Sequence, residues 1–328
     1  MYDVISFGTA TLDVFLRSPE MEVEGRDGDK DICVRYGAKL EVNEIYFESG
    51  GGGTNSATTF ARQGLKVAPI VQVGDDFAGQ KILEDLTKEQ IPTDLVNVQK
   101  SNYTDYSTIL WATEGGRTIL VYRGKTKLEV ENVPWDKLEA QWAYISSLEG
   151  NLEVIKNLKL RANNLKIVWN PGGRELQQRD EVLSILSGIT LLNLNKEEME
   201  ELLAIGSQSG VEDLLAKAQK LPCDYIAITD DRRGAFLWDR TNTTWWKSGI
   251  FEDSPRYETT GAGDAFGSGL ATGFIKGLSL ENSLYLAAAN ASSVVSLVGA
   301  KKGILKTTDL SNWSREKLNI AKMASSHG

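Results

Sequence analysis

The sequence predicts an α/β fold: a doubly wound, mostly parallel sheet flanked by helices, with a small antiparallel β lid. Two observations carry this. Short apolar runs of strand length alternate with helix-period segments through most of the chain, the pattern of a parallel sheet covered on both faces. Residues 31–48 and 106–123, rich in β-branched and aromatic side chains, break the alternation with no crossover helix between their strands, as either a lid or an ordinary extra edge hairpin would. The 328 residues suit one large domain, 1–328, with a lid subdomain formed by about 13–48 and 102–127.

Taken in order, YDVISFG (2–8) is a strand. TNSATTFARQG follows as a helix with Ala57, Phe60 and Ala61 on one face and Gly64 as its C′ residue. KVAPIVQVG (66–74) is the next strand, and Ala78, Ile82, Leu83 and Leu86 mark the helix after it. WAYISSL (142–148), LKIVWNP (165–171), ITLLNLN (189–195) and DYIAITD (224–230) are further strands, each followed by a helical or polar segment. EGGR (114–117) supplies a hairpin turn between lid strands, and the polar stretch from Ser311 reads as a surface helix.

Composition excludes several function classes. With 36 Lys+Arg against 45 Asp+Glu the net charge is -9, and no basic run opposes that field, so neither nucleic acid nor an anionic membrane is an expected partner. The first residues, MYDVISFGTATLDVF, lack a basic region and a long apolar run, and no stretch is apolar enough to span a bilayer; a cytoplasmic location is expected. Cys33 and Cys223 are too far apart in sequence for a CxxC pair and read as small hydrophobes. His327 is the sole histidine, so a Ser-His-Asp triad, a Cys-His pair and a His-ligated zinc have no imidazole in the body of the chain. Acid or base chemistry must use carboxylates, lysine or tyrosine.

Glycine is concentrated in SGGGGTNSA (49–57) and TTGAGDAFGSG (259–269). Neither holds the lysine of a GxxxxGK(S/T) phosphate loop. The GxGxxG fingerprint fails as well, because its third glycine position is Phe266 in one segment and Ser56 in the other. Gly261, Ala262 and Gly263 run into an apolar helix over Asp264–Lys276. Small residues at a helix start leave the backbone N–H groups open to an anion. Asp264 at the mouth of that pocket is placed either to accept a proton from an attacking hydroxyl or to cap the helix.

ETTGAGDAFGSG resembles the C-terminal signature of the ribokinase-like (PfkB) carbohydrate kinases, and SGGGGTNSATTFARQGLKVAPIVQVGDDFAGQ is similar to their N-terminal signature. The two lie in the family's order and bracket nearly the whole chain. The resemblance implies ATP-dependent phosphorylation of a hydroxyl of a sugar or sugar-like molecule. In it Asp264 is the catalytic base, and the amides of Gly261, Ala262 and Gly263 form the anion hole. Asp13, Gly51 and Asn55 match residues that bind sugar hydroxyls, and Glu149 in SSLEG aligns with a substrate-side glutamate. Asn195 and Glu198 in LNLNKEEME match an NxxE motif, one turn apart on a helix face, that organises Mg2+, through water at Glu198, and the nucleotide phosphates. ITDDRRGAFL corresponds to a TxGxxG nucleotide segment that keeps Thr229 and Gly234 but has Asp231 at the first glycine. Glu258 replaces the aspartate that helps bind K+ in members activated by a monovalent cation. Lid sheets in this family often pair between subunits, which implies a homodimer.

Two other readings remain open at this level. Trp111, Tyr122 and Arg123 on the lid could cover a nucleobase, making a nucleoside kinase of the same fold. A non-catalytic ligand-sensing protein could retain the fold without turnover.

Overall fold

The computed structural model describes residues 1–26, 29–111, 116–124, 127–161, 165–206 and 210–323. Among them, nine strands form one sheet in the order Ile320–Lys322, Thr244–Ser248, Ala235–Asp239, Tyr225–Thr229, Leu191–Asn195, Lys166–Trp169, Ala140–Ile145, Tyr2–Phe7 and Val67–Ile70. From Tyr225–Thr229 to Val67–Ile70 every pairing is parallel. These six strands are the ones the apolar runs marked. Successive side chains enter opposite layers: Ile5, Ile145 and Leu192 pack in one core, and Val4, Tyr144 and Leu191 in the other. Burial on both faces explains why such strands read as unbroken apolar runs rather than alternating ones.

The remaining three strands extend the sheet antiparallel, beginning with the hairpin from Tyr225–Thr229 to Ala235–Asp239. The stretch from Ser311 does not form the expected helix. It holds short 3-10 turns at Thr307–Asn312 and Arg315–Lys317 and then the edge strand Ile320–Lys322. Its apolar residues Leu310, Trp313, Leu318 and Ile320 are spaced too irregularly for one helix face, yet all pack against Phe251 and its neighbours.

A second sheet, in the order Arg117–Tyr122, Asp105–Trp111, Thr11–Arg17 and Glu44–Gly50, stands apart from the large one. Its outer pairings are antiparallel, and the central one, Thr11–Arg17 with Asp105–Trp111, is parallel. Residues 31–33 fall instead in a separate hairpin, Glu22–Arg26 with Asp29–Cys33. Glu114 and Gly115 of the expected turn, and His327, lie outside the described residues. The segment 66–74 is two strands, Val67–Ile70 in the large sheet and Gln72–Gly74 paired with Asn97–Gln99. Pro69, which has no N–H to give, is accommodated because Val67–Ile70 is the sheet's edge.

Helices Gly52–Arg62 and Ala262–Ile275 bring their N-termini together over the carboxyl ends of the parallel strands. The second packs closely on Leu280–Val295, where a Cβ added at Gly273 would lie 2.5 Å from that of Ser283.

Candidate active site

The helix Ala262–Ile275 is capped by Gly261, whose φ of 81° and whose contact with Ala300, 2.6 Å from an added Cβ, together require glycine. Asp264 therefore sits in the first turn and is not the N-cap, which removes the capping reading of that residue. Ala262 N donates to Thr259 O at 3.2 Å. An added Cβ at Gly263 would meet nothing within 4 Å, so the helix mouth is open at that residue.

Helix Gly52–Arg62 starts against the same carboxylate. A Cβ added at Gly52 would lie 3.2 Å from Asp264 Oδ1, so the Asp264 carboxylate sits between two positive helix ends. Asn55, in the first turns of that helix, donates from Nδ2 to Asp264 Oδ2 at 2.9 Å. Its Oδ1 is buried with no partner among the described residues. An unpaired buried acceptor is costly unless something supplies a donor, and an alcohol hydroxyl would. Gly51, the cap of this helix at φ 91°, presses on the Thr9 and Ala10 backbone, 2.5 Å from Thr9 O to an added Cβ.

Asp13 enters from the smaller sheet. It is buried beside Gly50, where an added Cβ would lie 2.0 Å from Asp13 Oδ2, and it accepts from Thr11 Oγ1 at 3.3 Å. Burial lifts its carboxyl to about 6, against the pull of Ser107, Thr11 and Lys301 and with a push from Glu258. Burial also raises Asp264, while Asn55 and Lys301 work to lower it. Lys301 is the residue sequence reasoning missed. It is buried, donates from Nζ to Ser49 Oγ at 2.9 Å, and is pushed down to about 7 by burial despite Asp85, Asp13 and Glu89. In the sequence it is one lysine of GAKKG, indistinguishable from a surface charge; its position next to Ala300, against the Gly261 cap, is a tertiary fact.

On the other side of Gly263 lies a largely apolar cleft lined by Thr229, Gly234, Phe251, Ala262, Gly263 and Phe266. Asp231, which also lines it, has φ 40°, so it keeps the left-handed backbone that a glycine would take, a conformation aspartate tolerates. Its carboxylate pairs with Arg256 at 2.5 Å. Asn195 and Glu198 are not side by side on a helix face. Asn195 ends a strand and caps helix Lys196–Leu203, and the two form a reciprocal capping box, Glu198 N to Asn195 Oδ1 at 2.8 Å and Asn195 N to Glu198 Oε2 at 2.9 Å. Glu198 is raised by burial and by Asp264, against the Asn195 amide, which puts it in the field of the same site.

The remaining sequence candidates stand outside the group around Asp264. Glu149 pairs with Arg174 at 2.7 Å and Arg123 at 3.5 Å and adds no bond to the group around Asp264. Trp111 is buried under the Arg17 guanidinium, 4.9 Å from its ring centroid, as packing across the parallel pair at the centre of the smaller sheet. Arg123 also pairs with Asp105 at 3.3 Å, while Tyr122 is half-exposed. Glu258 is buried against Arg117, 3.1 Å away, and accepts from Thr260 N at 2.7 Å.

Residues 3–307 match the model of the pfkB family of carbohydrate kinases. The chain is 27% identical to the ribokinase of Haemophilus influenzae over 288 residues, 85% of this chain and 92% of that one. Its fold is similar to that of Arabidopsis thaliana ribokinase complexed with ribose and ATP, at a TM-score of 0.74 and 19% identity, over 95% of this chain and 98% of the other. It is similar also to a Burkholderia thailandensis nucleoside kinase in complex with inosine, at 0.75 and 14% identity, over 94% and 96%.

Proposed function

The chain belongs to the pfkB family of carbohydrate kinases, and from that premise we propose that it transfers the γ-phosphoryl group of ATP to a hydroxyl of a sugar or sugar-like molecule, with Asp264 as the general base. The observation that carries this is the pairing of Asp264 with Asn55 at the meeting of two helix N-termini, with Asn55 Oδ1 left needing a donor. A polyol lying against Asn55, Asp13 and Gly51 would donate one hydroxyl to the Asp264 carboxylate and a neighbouring hydroxyl to Asn55 Oδ1.

Asp264 takes the proton as the alcohol oxygen attacks the γ-phosphorus, and the ADP oxygen leaves with the bond's electron pair. Backbone amides at Gly261 and Gly263, that of Ala262 once it releases Thr259 O, and the helix dipole stabilise the charge on the transferred group. The cleft at Thr229, Gly234, Phe251 and Phe266 takes the nucleotide base and ribose, with Asn195 on the phosphate side. The sheet carrying Asp13 acts as a lid that excludes water, the competing acceptor.

Mg2+ fits this site. Among the described residues no cluster of three His, Cys, Asp or Glu could hold a metal by itself, but Mg2+ characteristically keeps its waters and rests on one or two carboxylates and the phosphates. Glu198, with Oε2 committed to the capping box, would hold it through water, and the ion would neutralise phosphate charge. K+ at Glu258 does not fit, because the Arg117 guanidinium already neutralises that carboxylate, although its Oε2 has no partner among the described residues; no step runs through it. Glu149 serves the substrate side indirectly, by fixing Arg123 and Arg174.

The test is ADP release with Mg2+ from a panel of sugars, sugar acids, sugar phosphates and nucleosides. A sugar accepted in preference to every nucleoside supports the proposal. Preference for a nucleoside would make this a nucleoside kinase, and binding without ADP release from any member would make it a sensor.

A further inference from the structure

We infer that Arg117 is a positioning residue for the anion-hole loop, a cation delivered by the smaller sheet that neutralises Glu258 and fixes the backbone leading into Gly261. This rests on the reading of residues 261–264 as the phosphoryl site.

Arg117 opens the strand Arg117–Tyr122, opposite Trp111. From there its Nη1 reaches Glu258 Oε1 at 3.1 Å and donates to Thr259 Oγ1 at 2.6 Å. The Glu258 side chain is only 2% exposed, and among the described residues no other Lys or Arg is ion-paired with it. Its Oε1 also accepts from Thr260 N, while Oε2 finds no partner there. Glu258 thus ties the loop's backbone to itself and to the lid at one oxygen. On the far side, Tyr257 N and Glu258 N both donate to Val295 O.

A buried carboxylate stripped of its cation is strongly unfavourable. It must take up a proton or draw in water or a solvent cation, and either moves the Glu258–Thr260 contact. One residue past Thr260, Gly261 is wedged against Ala300, so a displacement passes into the helix mouth. The lid's closure and the assembly of the anion hole are then one event, and the resident guanidinium makes a monovalent cation unnecessary.

The test measures kcat and KM for both substrates in Arg117→Gln, Glu258→Gln and the double variant, in choline chloride, KCl and millimolar guanidinium, with thermal melts to identify any variant that fails to fold. Arg117→Gln is expected to lose roughly 10²-fold in kcat, the scale of a small misplacement of reacting groups, with acceptor KM little changed. Adding Glu258→Gln should restore about tenfold or more, because the uncompensated charge is gone. Guanidinium should raise the single variant, and KCl should leave the wild type unchanged. Wild-type kcat in Arg117→Gln, additive losses in the double variant, or a KCl-dependent wild type would overturn the inference. If Asp264→Asn turns over normally, the site reading itself fails; if it is inactive while Arg117→Gln is normal, only this inference does.

Discussion

Gly261 and Gly263 stand two residues apart in one loop, and the structure asks different things of them. At Gly261 the positive φ and Ala300 exclude any side chain, so Gly261→Ala should lower stability by about 1 kcal/mol or more and activity with it. At Gly263 there is room, so Gly263→Ala should gain about 0.4–1 kcal/mol of stability, as at a compatible glycine site, yet bind ATP more weakly because the methyl occupies the mouth. Parallel melting and nucleotide titrations separate the two; equal stability losses would argue against an open anion hole. Asp13 offers a pH test. Its folded carboxyl is raised from 3.8 to about 6, so the protonated form is the one folding favours: that contribution is present below 3.8 and lost as pH rises through about 6. Asp13→Asn should therefore gain about 2–3 kcal/mol over wild type at pH 7–8 and nothing near pH 4, at the expense of substrate binding. Urea unfolding across that range would show a flat difference if Asp13 is not strained by burial. Much of this level was readable, since the motifs singled out Asp264 and Asn55, which bond to each other, and Asp13, which shares the field of Lys301 with Asp264. Lys301 and Arg117 were not: their partners Ser49 and Glu258 are 252 and 141 positions away, and only packing brings them together.

At the scale of elements, legibility followed burial. The six parallel strands announced themselves because both faces are apolar, whereas Gln72–Gly74 and Ile320–Lys322 are three-residue edges whose pairing is set by where the chain arrives, not by any period in their sequence. Thr11–Arg17 was seen only as the home of Asp13, yet it is the central seam of the smaller sheet. The NxxE motif was legible as a motif while its geometry was not: a capping box and a one-turn helical pair share the same three-residue spacing. Helix packing sets the site's rigidity. Because a Cβ at Gly273 already conflicts with Ser283, Gly273→Val should force Ala262–Ile275 off Leu280–Val295 and cost about 1–3 kcal/mol in urea unfolding. An unchanged midpoint would mean the two helices are not locked together there.

For the whole molecule, acidity and ATP binding pose one electrostatic problem. On the proposed function a chain of net charge -9 must attract a polyanion, and the feature offered for that is local, two helix N-termini converging at Asp264 rather than a basic surface. No helix among the described residues is long and apolar enough to cross a membrane. The smaller sheet leaves Ile119, Leu120 and Val121 on one edge strand and Ile45 and Phe47 on the other, all at least 41% exposed. Pairing of these edges between two chains would cover them, so sedimentation should find a dimer that Leu120→Glu disperses; a monomeric wild type would contradict it. The claim on which the rest depends is that Asp264 accepts the hydroxyl's proton. Turnover of Asp264→Asn on the best acceptor from the panel, with ATP affinity measured alongside, tests it directly. The account predicts turnover lower by roughly 10²- to 10⁴-fold, the weight of a general base, with ATP affinity nearly kept. Turnover close to that of the wild type would contradict it.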